Sequence, residues 1–144
     1  MLVLRCSSSA RSMRELVGAA EKIGNSLVLS PSAVRTLMEL RAAFRLAADA
    51  FAEGTNISSK LSNEAMLFLA CETNFSSALR KIGAADPSDF VLVSEEKIPS
   101  AKLKKELKLL RAQTLSLSEW GEKKGKYSEG ELAIERMATA RIRN

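Results

Sequence analysis

The stretch NISSKLSNEAMLFLACETNFSSALRKIG, residues 56–83, decides how the fold is read. A polar entrance at residues 56–60 leads into an unbroken apolar run at residues 65–71. Glu72, Thr73 and Asn74 break that run, and a short amphipathic segment then stops at Gly83. The order is a buried element, a turn and a helix. The helix is clear: Asn74 is a good N-cap, Ala78 and Ile82 are spaced by four, Leu79 widens the apolar face, and Gly83 is a C-terminal stop. The run at 65–71 is ambiguous. Its Met, Leu and Ala favour helix, yet seven residues apolar on both faces also fit a central strand.

Before this stretch, residues 2–6 read as a first strand. Ser12 can cap a helix over residues 13–21, with Met13, Leu16, Val17 and Ala20 on one face. Gly24 and Asn25 make a turn, and residues 26–29 a second strand. Ser30 and Pro31 open the longest helix, as N-cap and first helical residue. Its stripe of Val34, Leu37, Met38, Phe44, Ala47, Ala48 and Phe51 is core packing, and Glu53-Gly54 ends it.

After the stretch, residues 86–88 form a turn, and the β-branched residues 90–93 are the most strand-like piece of the chain. Pro99 opens a basic amphipathic helix to about Arg111, with Leu103, Leu107 and Leu110 facing inward. Residues 115–127 read as a loop with one short helix near Trp120, broken by Gly121 and Gly125. Ser128 and Glu131 form a capping box, and the last helix runs from about Glu129 to near Arg141. Leu132, Ile134, Met137, Ala138 and Ile142 are spread over more than one face of it. One face must join the core, and the other is a candidate partner surface.

The 144 residues predict a single domain of mixed α+β (α/β) class, a small mixed sheet flanked by helices. The apolar run is far too short to cross a bilayer. No basic region precedes the apolar start at residues 2–6, so a signal peptide is not expected and the cytoplasm is the expected location. The two cysteines, Cys6 and Cys71, sit in apolar contexts and read as buried thiols. With no His and no CxxC pair, no metal or cofactor is expected. The lack of His also removes the usual general base, and no phosphate-loop, dinucleotide or serine-hydrolase motif is present, so the chain is not expected to be an enzyme.

The net charge of +5 is concentrated. Residues 97–126 hold nine Lys/Arg against three Glu, a surplus of six. Such a face suits an anionic partner, most often nucleic acid; a solvated helix face is the plainer alternative. The basic helix lacks aromatic membrane anchors, so no membrane partner is expected.

One family fits these pieces. Ala50-Phe51, Gly54-Thr55-Asn56-Ile57-Ser58, Leu61, Glu64, Leu67-Phe68, Phe75 and Ala78-Leu79-Arg80-Lys81-Ile82-Gly83 resemble the smallest subunit of the KEOPS (EKC) complex, the TPRKB family, in its archaeal type. Glu131-Leu132-Ala133-Ile134-Glu135-Arg136-Met137-Ala138 resembles that family's closing helix. Together these stretches cover about a third of the chain. At the polar turn, archaeal members usually carry Gly-x-Arg-Gln-Ile where this chain has Cys71-Glu72-Thr73-Asn74-Phe75. The lysine that often follows Asn-Ile-Ser falls on Ser59, with Lys60 one place later.

The resemblance implies a strand at residues 65–71. It also implies a non-catalytic subunit that docks on the complex's kinase-like ATPase and supports threonylcarbamoyl modification of tRNA, holding the 3′ CCA end. On that reading Asn56, Ile57 and Lys60 face the RNA, with Ile57 or Phe75 as an apolar surface for bases. Lys104, Lys108 and Arg111 lend electrostatic support. Leu132, Ile134, Arg136 and Met137 meet the ATPase. The alternative is a stand-alone basic nucleic-acid-binding domain. Against it, the few aromatic residues fall mostly at core positions.

Overall fold

The expected first strand is present as β1 (Leu2–Ser8), followed by α1 (Met13–Lys22), β2 (Ser26–Leu29), α2 (Leu37–Glu53), α3 (Leu61–Ala70) and α4 (Phe75–Ile82). Then come β3 (Phe90–Ser94), α5 (Ser100–Glu106), β4 (Leu109–Thr114), a two-residue pair β5 (Lys123–Lys124) and β6 (Tyr127–Ser128), and α6 (Glu129–Arg143). The computed structural model describes residues 1–143, and for residues 142 and 143 the backbone alone, so the side chain of Ile142 lies outside it. The mixed α+β class expected from the sequence is the class observed. The chain divides into two compact units, Met1–Val34 with Ile82–Ser116, and Arg35–Lys81 with the residues from Leu117 onward.

The first unit holds a four-stranded sheet in the order β2-β3-β1-β4 with every pairing antiparallel, a correction to the mixed sheet expected, because each like-directed pair is separated by an intervening strand. β1–α1–β2 and β3–α5–β4 each join two like-directed strands across an intervening one, which is the split βαβ arrangement of ferredoxin-like sheets. Strand alternation sets the faces. Leu4 and Cys6 of β1 pack with Leu92 and Phe90 of β3 against Leu16 and Ala20 of α1 and Leu103 and Leu107 at α5. Arg5, between Leu4 and Cys6, points the other way. Ser12 caps α1, accepting the Glu15 amide at 3.2 Å. The buried Ser8 hydroxyl donates to the Leu107 carbonyl at 2.6 Å, tying the end of β1 to the turn after α5.

That turn corrects one expectation. The basic helix does not reach Arg111: it stops at Glu106, Leu107 caps it, and Lys108 takes a left-handed conformation with φ of 51°. Residues 109–114 then pair with β1 as an edge strand. Leu110, expected to face inward, is 67 % exposed. None of residues 109–113 is β-branched, so it is pairing with β1 that makes the strand.

The second unit is helical. α2 packs on α3 and α6, and α3 on α6. Leu40, Phe44 and Ala47 of α2, Leu67 and Phe68 of α3, Ala78 of α4 and Met137 of α6 are all buried. The long helix does not start at Ser30. Pro31–Ala33 make a single 3-10 turn, and α2 begins after Thr36. Thr36 and Glu39 form the capping box, with Thr36 Oγ1 accepting the Glu39 amide at 3.2 Å and a Glu39 carboxylate oxygen accepting the Thr36 amide at 3.3 Å. Gly54, left-handed at φ 74°, ends the helix.

The strand expected at residues 65–71 is a helix, α3. No residue from 61 to 71 is β-branched, and Ala, Leu and Met are strong helix formers. The run is apolar all round because the helix is buried nearly all round. Cys71 caps it in the left-handed region at φ 56°, its amide and that of Glu72 returning to carbonyls of the last turn. α4 forms where expected, with Asn74 Oδ1 accepting the Ser77 amide at 3.2 Å. No helix forms near Trp120; that segment is loop and the short β5–β6 pair, turned at Gly125 with φ 74°. The Ser128–Glu131 capping box of α6 is made as expected.

Candidate functional site

The polar entrance at residues 56–60 is a loop built around one carboxylate. α2 ends at Gly54, and Thr55 returns its amide to the Ala50 carbonyl at 2.9 Å. Glu64 lies in the first turn of α3, where its side chain reaches back over the loop. Its carboxylate accepts the amide of Ile57 at 3.0 and 3.2 Å and the amide of Ser58 at 2.8 Å. Asn56 Nδ2 donates to the Ser58 carbonyl at 3.0 Å, and Ser58 Oγ accepts the Lys60 amide at 3.4 Å. Glu64 is 0 % exposed. The loop is thus held from beneath, with the Ile57 side chain, 50 % exposed, on its outer surface and Lys60 exposed beside it.

Glu64 has a second partner. Arg141 Nη1, near the end of α6, donates to its carboxylate at 2.6 Å. The Arg141 guanidinium lies 3.9 Å above the Phe68 ring, a cation–π contact in a desolvated setting. Its Nε and Nη2 are buried and have no hydrogen-bond partner among the described residues. One buried carboxylate therefore joins the 56–60 loop, the start of α3 and the end of α6. The sequence reading passed over Arg141 and quoted Glu64 only as part of a pattern. The available signal was a single acid immediately ahead of an all-apolar run.

The four residues expected on the partner face divide. Ala133 and Met137, spaced by four, turn into the unit, and Met137 is 1 % exposed. Met137 is therefore core, a correction to its place on a docking surface: the helix must bury one stripe, and this is that stripe. Arg136 is exposed, while Leu132 and Ile134 are half-buried on either flank.

The basic residues are not on one helix face. Lys104 is exposed on α5, Lys108 sits in the left-handed turn, and Arg111 is on β4. Lys108 Nζ donates to the Glu15 carboxylate at 2.7 Å, and that hydrogen bond holds the Glu15 carboxyl below its ordinary range. Lys104, Lys108 and Arg111 belong to the sheet unit, whereas Asn56, Ile57 and Lys60 belong to the helical unit.

The thiols are protonated near neutral pH. Burial pushes Cys6 up to about 11, and burial also raises Cys71. Among the described residues no group of three or more His, Cys, Asp or Glu converges to hold a metal ion, and no helix is long and apolar enough to cross a membrane. No family model matches the chain, and no curated protein matches it.

Proposed function

We propose that the chain is a non-catalytic, cytoplasmic accessory subunit of the KEOPS type, which binds a kinase-like ATPase through α6 and the 3′ CCA end of tRNA through the 56–60 loop. The observation that carries this reading is the loop held by Glu64. Single-stranded RNA needs a preformed surface with an apolar face for bases and cations for phosphates. Ile57 and Lys60 provide both on a loop fixed by a buried carboxylate. Arg136, with the half-buried Leu132 one turn before it on the same side of α6, supplies the kind of anchor on which protein interfaces depend. The surplus positive charge of residues 97–126 supports association with an anionic partner.

Size-exclusion chromatography with the ATPase subunit tests the first half. Co-elution that Arg136→Glu abolishes is expected, and separate elution would remove the accessory role. Binding of intact tRNA against tRNA lacking CCA tests the second. Weaker binding of the truncated tRNA is expected. Equal affinity with a steep salt dependence would favour the stand-alone nucleic-acid-binding domain, which the basic segment alone could support.

A further inference from the structure

The sheet unit carries a cavity that none of the readings above uses. It measures about 340 Å³ and is lined by Arg5, Cys6, Ser7, Ser88, Asp89, Arg111 and Gln113. The strand register explains the grouping. Arg5 is the cross-strand partner of Gln113, and Ser7 the partner of Arg111. These four side chains leave the same face of neighbouring strands, so they form a compact square of the kind cross-strand pairs make. Asp89 and Ser88 come from the turn before β3.

The chemistry of this square is one-sided. Two guanidiniums, the Gln113 amide and the Ser7 hydroxyl face a single lining carboxylate, while the Ser88 hydroxyl already donates to Asp86 beside it. The lining carboxylate is Asp89, which takes Arg5 in a bidentate pair at 3.0 and 2.9 Å. The pair fixes the plane of the Arg5 guanidinium and leaves its remaining edge for another acceptor. Asp89 stays ionised because the hydrogen bond from Arg5 holds it below its ordinary range, and Arg111 lowers it further. Among the lining residues two cations, Arg5 held by Asp89 and the exposed Arg111, stand against one anion, so the lining itself is net positive, with Asp86 next to it on Ser88. Guanidinium forks with a hydroxyl and an amide beside them are a donor set that oxyanions, phosphate above all, bind well. The volume lies at the lower end of the ~300–1,000 Å³ that small-molecule sites occupy and exceeds what a bare phosphate needs. Asp89 and the Gln113 carbonyl add acceptors for hydroxyl or amino groups attached to that phosphate.

We infer that the Arg5–Arg111 cavity binds the phosphate of a nucleotide, with Arg5 and Arg111 as the phosphate ligands and Gln113 and Asp89 facing its sugar or base. This site does not depend on the proposed accessory function, and its residues are separate from the 56–60 loop.

The test is a nitrogen-15 NMR titration of the full chain with cytidine 5′-monophosphate, run beside inorganic phosphate. Amide shifts that saturate at Ser7, Ser88, Arg111 and Gln113 are expected with the nucleotide. Arg111→Ala, on an exposed edge strand where the fold tolerates truncation, is expected to weaken binding about ten- to a hundredfold, the worth of one or two charge-assisted hydrogen bonds. Arg5→Ala is expected to do the same. Arg14→Ala removes an equal charge from the exposed side of α1 and is expected to change affinity less than about twofold, since it is a screened surface charge. No saturating shift at these amides would overturn the site. An equal loss in Arg14→Ala would overturn it in favour of diffuse electrostatics, and inorganic phosphate binding as tightly as the nucleotide would overturn the nucleotide assignment.

Discussion

Replacing Glu64 by Ala removes the one group that holds the 56–60 loop, the first turn of α3 and the last turn of α6 together. Three interactions are lost: the ion pair to Arg141 at 2.6 Å and the bonds from the Ile57 and Ser58 amides. Breaking a buried ion pair by deleting one partner costs about 3–5 kcal/mol, because a charge is left behind in a poor solvent. Here Arg141 keeps 19 % of its side-chain surface in water and stays over the Phe68 ring, which places the cost toward the low end of that range. The freed amides lie in a half-exposed loop that water can reach, so they add little. The expected loss for Glu64→Ala is ~3–4 kcal/mol. Arg141→Ala leaves the carboxylate with its two amide donors and should cost less, ~2–3 kcal/mol. The double variant should cost clearly less than the sum, by ~1–3 kcal/mol. It removes both buried charges, and with them the two Arg141 nitrogens that have no partner among the described residues. Urea unfolding followed by Trp120 fluorescence is the assay, since Trp120 is the only tryptophan and lies in the same unit as Glu64. With m near ~1.5 kcal/mol per molar urea, the Glu64→Ala midpoint should fall by about 2 M. Faster hydrogen exchange at the Ile57 and Ser58 amides should accompany it. A loss under about 1 kcal/mol, or strict additivity in the double variant, would refute the view of Glu64 as a shared anchor.

Three further outcomes are expected. Thr36→Ala should destabilise the helical unit by ~1–2 kcal/mol in the same urea assay, because it removes the hydroxyl oxygen that accepts the Glu39 amide, while the backbone amide at 36 keeps its bond to the Glu39 carboxylate. Gly121→Ala should cost ~1–3 kcal/mol in thermal unfolding, since φ is +75° there and an added Cβ would lie 2.9 Å from Thr36 Cγ2 and 3.0 Å from Glu129 Cβ. The Arg5–Asp89 pair should show in the pH dependence of stability: Asp89 is held below its ordinary value in the folded protein, so its contribution is present above the unfolded carboxylate pKa and fades as pH falls through the lowered folded one. The stability gap between wild type and Arg5→Ala is therefore expected to be largest near neutral pH and to close in acid; a gap that widens in acid would contradict the assignment.

Elements whose signals are local were legible from the residues. The short apolar run of β1, the β-branched run of β3, Asn74 before α4 and the Ser128–Glu131 box each act within a few positions. One error came from competing local signals. Ser30-Pro31 is a strong helix start, yet Thr36 with Glu39 three residues on is stronger, because it satisfies two end amides where Pro31 merely removes one donor. The edge strand β4 had no local signal at all. Its residues read as the continuation of a helix, and only the left-handed turn at Lys108 and the pairing with β1, about a hundred residues earlier, make it a strand.

The candidate sites were harder to see because their contacts are long-range. Arg5 and Asp89 are 84 residues apart, and Glu64 and Arg141 are 77. No window of sequence shows that such groups meet. The reading of residues 65–71 as a strand hid the second pair in a further way. In a strand Glu64 would lie at the entry of an extended segment, and its side chain would leave one face without turning back on the preceding loop. In the first turn of α3 a side chain tilts toward the helix N-terminus, straight at the amides of residues 57 and 58. Residues near the start and end of α3 then lie on one side of it, which lets Arg141 reach the carboxylate across Phe68. Correcting strand to helix therefore does more than exchange one element for another. It turns Glu64 from one letter in a pattern into the residue that shapes the loop and ties that loop to the helix proposed to meet the partner.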